Sequence, residues 1–380
     1  MTSEPATRVD RENRMLLKIE EFRKRRPRLI DKVITLAHGA GGKSSAALVD
    51  SVFVEAFRNQ ELEQLGDGAL LALPSGERLA FSTDSFVVQP LEFPGGTIGH
   101  LAVHGTVNDL AVSGAHPRWL SAAFVLEEGF DISRLRALAE DMRQAAEASG
   151  VQIVTGDTKV VAKGAADGLY ISTAGVGLVP AERRLGAGMV RPGDRVVLSG
   201  TLGDHGMAVM LARGDLGIEA DIVSDTAPVH EMVEAVLTVA PNTRWMRDAT
   251  RGGLGTVCNE LAQTAGCGVI LDERLLPVMP QVLGACDMLG IDPLYVANEG
   301  KFVAIVPPEE TEAAVAALRS HPLGAHATVV GEVVPEPAGV VALRTSLGGP
   351  ASWTCSSATH CRGSAEATML YRDSRSRRCA

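Results

Sequence analysis

Several things this sequence lacks narrow its function before anything it contains. No apolar run approaches the roughly 18–20 residues needed to span a bilayer, and the charged stretch from Met1 to Arg28 lacks the apolar core of a secretion signal. These two absences predict a cytoplasmic protein without a membrane partner. Net charge is −10 with no basic face in the globular part, which argues against nucleic acid as a partner. The six cysteines show no pairs at metal-binding spacing. Cys258, Cys267 and Cys286 sit in apolar surroundings and read as buried free thiols, while Cys355, Cys361 and Cys379 fall in the last thirty residues. No repeat of solenoid period is present.

What is present is a chain long enough for two domains, with 46% hydrophobic residues and 40 glycines. Residues 1–31 read as a disordered charged arm. From Val33 onward, short apolar runs alternate with glycine turns. Ile34–Ala37, Leu79–Ser82, Ser121–Leu126 and Val151–Thr155 are predicted strands. Thr97–Ser113 and Asp131–Ser149 are predicted helices, the second N-capped by Asp131 and closed at Gly150. A second unit opens at the turn Arg191-Pro192-Gly193-Asp194. Its predicted strands are Arg195–Ser199, Gly268–Leu271, Phe302–Val306 and Thr328–Val334. Its helices begin near Asp204, span Pro228–Val239, follow Arg251-Gly252-Gly253, and span Glu309–His321. The expected domains are 32–180 and 191–347, with a boundary near Pro180–Arg191, and alternation of strands with helices predicts an α/β fold.

The glycine loop His38-Gly39-Ala40-Gly41-Gly42-Lys43-Ser44 nearly spells a phosphate-binding loop, but Ala37 stands where that motif needs glycine. It reads either as a backbone cradle for phosphate or as a plain turn. Asp67, Asp84, Asp109 and Asp157 lie beside glycine turns, at strand ends or on an apolar helix. Carboxylates so placed suit a hard cation such as Mg2+, although each singly also reads as a turn or cap residue. Asp109 is the hardest to dismiss, because a carboxylate on an apolar helix needs a partner. Lys159 follows Asp157 by two residues and could counter phosphate charge. Asp248-Ala249-Thr250-Arg251-Gly252-Gly253 and Asn298-Glu299-Gly300-Lys301 read as polar walls of a cleft. His100, His104 and His116 lack the carboxylate that would complete a zinc motif, so they are assigned structural or nucleotide-adjacent places.

Together these segments resemble the ATP-binding superfamily of aminoimidazole ribonucleotide synthetase, selenophosphate synthetase and thiamine-monophosphate kinase. Within it, the sequence is most similar to the carbamoyl-dehydratases of nickel–iron hydrogenase maturation. The carrying residues are the His38–Ser45 loop, Ser82–Ser85, Gly105–Ala111, Thr155–Lys159, Asp248–Gly253 and Asn298–Lys301. The resemblance spans about Lys32 to Gly349. It implies a two-domain fold, with a β-rich dimerising N-terminal domain, an α/β C-terminal domain, and a homodimer that binds ATP and Mg2+. By this similarity Asp67, Asp84, Asp109 and Asp157 would bind metal. Gly39, Gly41, Gly42, Lys43, Asn108, Gly156 and Thr158 would hold the nucleotide, and Lys159, Asp248 and Glu299 would take catalytic places. Family members end in Pro-Arg-Ile-Cys, whose cysteine receives a carbamoyl group from a partner carbamoyltransferase. ATP converts that group to a thiocyanate, and cyanide passes to iron on a scaffold complex.

The tail departs from this pattern. From Pro350 to Ala380 it has neither strand alternation nor the family ending. Shifted by one nucleotide at the Gly349/Pro350 junction, the genetic code permits Thr-Arg-Val-Val-Asp-Met-Leu-Val-Gly-Asp-Pro-Leu-Pro-Arg-Ile-Cys. The next codon, from Ala365 and Glu366, can then be a stop. The expectation is a frameshifted tail that has lost the essential cysteine. The alternatives are a small-molecule kinase or synthetase of the same superfamily, or an inactive dimeric scaffold.

Overall fold

The computed structural model describes residues 29–214 and 216–345, together with the backbone of the strand Pro350–Trp353. Most of the expected charged arm and the thiols Cys355, Cys361 and Cys379 lie outside the described residues. Among those described, no helix is long and apolar enough to cross a membrane.

The chain enters through helix α1 (Lys43–Leu48), which continues as π-helix through Val49–Val54 into a last α-turn at Glu55–Phe57. Strands β1 (Ala69–Ala72) and β2 (Arg78–Phe86) follow, then the short ribbon of β3 (Glu92–Phe93) and β4 (Gly96–Thr97). Next come α2 (Ile98–Val112), β5 (His116–Glu127), α3 (Ile132–Ala148), β6 (Gln152–Val161) and β7 (Leu169–Val179). The larger strands form one sheet in the order β1-β2-β7-β5-β6, antiparallel except for the β5–β6 pair. Strand β7 alternates buried and half-buried residues along its length, the period of a sheet with one covered face.

Helix α2 is the structural centre. Every residue in it except His100 is buried, and a helix apolar around its whole circumference must be covered on every side. Its Thr97 cap accepts a hydrogen bond from the Gly99 amide. Helix α3 instead buries one stripe, Leu138, Met142, Ala145 and Ala146, against α2 and the sheet. It starts at the predicted cap, where Asp131 accepts from the Arg134 amide, and stops before Gly150 at φ +64°.

The second sheet is built from β8 (Arg195–Leu198), β9 (Trp245–Asp248), β10 (Gly268–Asp272), β11 (Phe302–Val306), β12 (Thr328–Val334), β13 (Val341–Arg344) and β14 (Pro350–Trp353). Helices α4 (Asp204–Ala212), α5 (His230–Val239), α6 (Gly253–Ala265), α7 (Pro280–Leu289) and α8 (Thr311–Arg319) are interleaved with them. The strand order is β14-β13-β10-β12-β8-β11-β9. Strand β11 is buried at all five positions, consistent with its unbroken apolar sequence. Ala111 and Val112 of α2 pack in one cluster with Val229, Met232 and Val236 around α5, so the helix of the first sheet also fills the core of the second.

Several elements differ from the sequence reading. Ile34–Ala37 is not a strand. Leu36–Gly39 forms a 3-10 turn, fixed because the Thr35 amide donates to His38 Nδ1 while the His38 amide returns to the Thr35 carbonyl. Asp84 lies inside β2 rather than at its end, and Gly156–Lys159 lies inside β6 rather than beyond it. The tail also differs at its start, since Pro350–Trp353 pairs antiparallel with β13. Strands β1, β7, β9 and β13 and helix α7 were not anticipated.

Candidate functional site

The two sheets meet along α2, and their carboxylates converge there. Asp67 comes from the turn before β1, Asp109 from the last turns of α2, and Asp248 from the end of β9. Their nearest carboxylate oxygens all lie within 4.8 Å of one another. Asp84 in β2 borders the same group. Ser82, two residues earlier in the strand, donates to Asp109 Oδ2 at 2.6 Å and also lies 2.9 Å from the Asp67 carbonyl.

This much acid in one place is unfavourable for the protein alone. Burial, then repulsion from Asp248, Asp84 and Asp67, pushes Asp109 well above the ordinary carboxylate range. Burial, then Asp67 and Asp84, does the same to Asp248. Burial raises Asp84, with Arg251 opposing. Glu299, in the turn before β11, is raised by burial and then by Asp248, Asp225 and Asp84. A divalent cation relieves repulsion of this kind, and oxygen donors at this spacing suit a hard ion such as Mg2+.

The glycine loop reaches the same place. Gly41 has φ +78°, and a Cβ there would meet Arg251 Cβ at 2.9 Å. Gly252 has φ +75°, and its Cβ would fall 3.0 Å from the Gly41 carbonyl. Gly41 therefore needs to be glycine for the Arg251 loop to approach, whereas a Cβ at Gly252 would first meet Thr256 of the helix that it opens. Lys43, the first residue of α1, stands directly after this contact. Gly39 faces open space, and Gly42 is the residue from which α1 starts.

Not every expected residue joins this group. Following the register from Asp84 through Thr173 and Ala122 reaches Gly156, three strands away. At the usual strand spacing this is about 14 Å. One chain therefore does not assemble the expected aspartate quartet: Asp157 stands apart, and Asp248 occupies the fourth place. Asp157, Thr158 and Lys159 lie on the exposed edge strand β6. Gly156 is required there for packing, since a Cβ would sit 2.1 Å from the Ala122 carbonyl.

Asn108, expected at the nucleotide, bonds across the junction instead. It donates to the carbonyls of Ala227 and Glu299 and accepts from the Val229 amide. This leaves it joining the two halves.

Residues that sequence reasoning missed surround the acids. Asp225 accepts from the Glu299 amide at 3.0 Å and pairs with Lys301 at 3.2 Å. It sits in a loop without any motif, so no sequence signal marked it. Arg247 bonds to Asp67 and to Glu260 of α6, and its only signal was its position next to Asp248. A cavity of about 300 Å³ opens beside Asp67 and Arg247, walled by Leu65, Trp245 and Leu261. His100 is bonded to Thr97 and His104 to Thr226, while His116 pairs with Glu234. The three histidines singled out in the sequence do not form a metal group.

Two family models match the chain. The N-terminal domain of AIR synthase related proteins covers residues 65–179, and the C-terminal domain covers residues 191–344. Carbamoyl dehydratase HypE of Rhodobacter capsulatus is 53% identical over 323 residues, covering 84% of this chain and 95% of that protein. Among solved structures, a HypE–HypF complex superposes with TM-score 0.77 at 42% identity, covering 82% of this chain and 100% of the matched one. Hydrogenase maturation protein HypE in complex with ATP superposes with TM-score 0.72 at 42% identity, covering 87% and 99%.

Proposed function

This chain belongs to the carbamoyl dehydratase family of hydrogenase maturation proteins, within the AIR synthase related fold, and on that premise we propose that its ancestral reaction is ATP-dependent dehydration of a cysteine S-carboxamide to a thiocyanate. The thiocyanate would supply cyanide to an active-site iron. The observation that carries this reading is the acidic junction of Asp67, Asp109 and Asp248, with the glycine loop packed on the Arg251–Gly252 turn that follows Asp248.

The chemistry explains why such a junction is needed. The carbamoyl oxygen is a poor leaving group, so it attacks the γ-phosphorus of ATP and ADP departs. Loss of one N–H proton gives a phosphorylated imidate. Loss of the second N–H proton and departure of phosphate, with the C–O electrons, leave the carbon–nitrogen triple bond. Phosphoryl transfer of this kind is mostly positioning and charge neutralisation. Asp67, Asp84, Asp109 and Asp248 would hold Mg2+, which supplies charge neutralisation at the phosphates. The backbone of Gly39, Gly41 and Gly42, with Lys43, would cradle phosphate. Glu299 and Lys159 are assigned to the reacting carboxamide.

We further read residues 32–180 and 191–347 as the two domains and the protein as a homodimer. The support for the dimer is β6, whose outer backbone edge pairs with no other strand among the described residues and whose residues Gln152 to Val160 are all exposed. In this arrangement the Gly156–Lys159 segment would meet nucleotide only when a second copy is in place. A HypE–HypF complex is known for a relative. For this chain the corresponding partners are a carbamoyltransferase that loads the cysteine and an iron-carrying scaffold that receives cyanide.

The written chain also supports an inactive scaffold reading. Burial pushes the Cys258 thiol up to about 12 and Cys286 up to about 11, and it raises Cys267 as well. A buried, protonated thiol is neither nucleophilic nor reachable. These three thiols are therefore poor acceptors, and separately, on the alternative reading frame after Gly349, we propose that a one-nucleotide shift there removed the acceptor cysteine. The test incubates the written and frame-restored proteins with carbamoyltransferase, carbamoyl phosphate and ATP, then measures intact mass. The restored protein gains one carboxamide and then loses one water, while the written one gains neither. Thiocyanate on Cys379 of the written chain would overturn the frameshift assignment.

A further inference from the structure

Arginine differs from lysine in offering planar N–H donors that can bond in several directions at once. Arg247 uses that geometry across the junction of the two sheets. Its Nε donates to Asp67 Oδ1 at 2.6 Å, one terminal nitrogen to Glu260 Oε2 at 2.8 Å, and the other to the Leu65 carbonyl at 2.8 Å. Although burial alone would lower it, Asp67 and Glu260 hold the guanidinium above its ordinary value.

The segment it grips has an unusual backbone and one further anchor. Leu65 has φ +50°, a conformation that non-glycine residues rarely adopt, and the Asp67 backbone is further tied by the Ser82 hydroxyl to its carbonyl. Asp67 is also the member of the acidic group that comes from a turn, whereas Asp109 sits on a fully packed helix and Asp248 ends a strand paired with β11.

We infer that Arg247, anchored by Glu260, is a positioning residue that sets the Asp67 carboxylate for the cation held with Asp109 and Asp248. This rests on the metal reading proposed above. Arg247 touches no reacting atom; it acts through Asp67. Simple charge balance is a poor account of it, because balance alone would not call for three bonds on two separate elements.

The consequence is selectivity. Mg2+ demands near-ideal octahedral geometry, whereas Ca2+ accepts variable oxygen shells. Loosening one donor should therefore penalise Mg2+ more than Ca2+. The probe is Mg2+ or Ca2+ titrated against the full chain with a non-hydrolysable ATP analogue present, read as melting temperature. Loss of an outer partner of a metal ligand typically weakens metal binding by about tenfold or more. For Arg247→Lys the Mg2+ half-saturation concentration should rise by about that factor while the Ca2+ value moves clearly less. Glu260→Gln, which keeps the Arg247–Asp67 bond, should shift the ratio the same way by less, and it serves as the second variant if Arg247→Lys does not fold. Equal changes for both ions, or no change in either, would overturn the positioning role while leaving the metal site standing. A wild-type chain that responds to neither ion would overturn the metal reading, and this inference with it.

Discussion

The acidic junction and the edge strand β6 both carry residues expected at the active site, yet they are opposite kinds of surface. At the junction, Asp109 and Asp248 are 8% and 7% exposed and are surrounded by elements from both sheets. On β6, Asp157 and Lys159 stand in a strand open to solvent along its outer edge. One region is enclosed by elements of a single chain, and the other, among the described residues, presents a strand edge without a pairing partner. The difference teaches that a motif's residue types do not say whether its work is done within one chain or across two.

The largest expected effect tests the open region. Val154 and Val160 are 59% and 64% exposed on β6. Placing aspartate at both should break the proposed homodimer, because an unpaired charge buried at an interface costs about 3–5 kcal/mol, or more than two orders of magnitude in dissociation constant. Light scattering at micromolar concentration should then report a monomer that still melts in one cooperative transition, at a temperature lowered by the lost association. A variant that stays dimeric would move the interface away from this strand.

The next effect tests the closed region. A ligand at a hundred times its dissociation constant stabilises by about 2.7 kcal/mol. Mg-ATP should raise the melting temperature of the wild-type chain accordingly, and Asp84→Ala or Asp109→Ala should abolish the rise. Asp109→Asn should also raise the melting temperature of the metal-free protein, because it removes a carboxylate that burial and its neighbours disfavour. An undiminished Mg-ATP shift in both alanine variants would remove these residues from the site.

The smallest effect sharpens the comparison on α2, the helix that carries Asp109. Burial, then the neighbouring His100 and His230, lowers His104 from 6.5 to about 3. The unfolded chain takes up this proton below about 6.5 and the folded chain does not, so stability is lost as pH falls from about 6.5 towards 3. The slope from one such group is at most about 1.4 kcal/mol per pH unit. Asp109, Asp248 and Glu299 act in the opposite sense, since each binds a proton more readily when folded. Urea unfolding between pH 6 and 4.5 should therefore show a shallower acid loss for His104→Gln than for wild type. Parallel slopes would assign the acid sensitivity to other groups.

Much of the fold was legible because its signals are local. Asp131 and Gly150 bound α3 where a cap and a left-handed residue should stand, and the apolar run Phe302–Val306 is a fully buried strand. Of the missed strands, β1, β9 and β13 are four residues each, too short for a period-2 pattern to rise above chance, whereas β7 runs eleven residues and its length does not explain the miss. Ile34–Ala37 was misread because an apolar run of four carries no information about whether a neighbouring strand exists to pair with it.

For the site, the amino-acid sequence by itself determined which residue types were available: the glycine loop, the aspartates, and the Asp248–Gly253 and Asn298–Lys301 segments. Tertiary structure alone decided which of them meet. It drew Asp248 into the group with Asp67 and Asp109, left Asp157 three strands away, turned Asn108 to backbone partners, and brought in Arg247, Glu260 and Asp225. The reason is physical. Propensity and patterning act over a few residues, whereas the distance between two carboxylates depends on how two sheets pack on one shared helix.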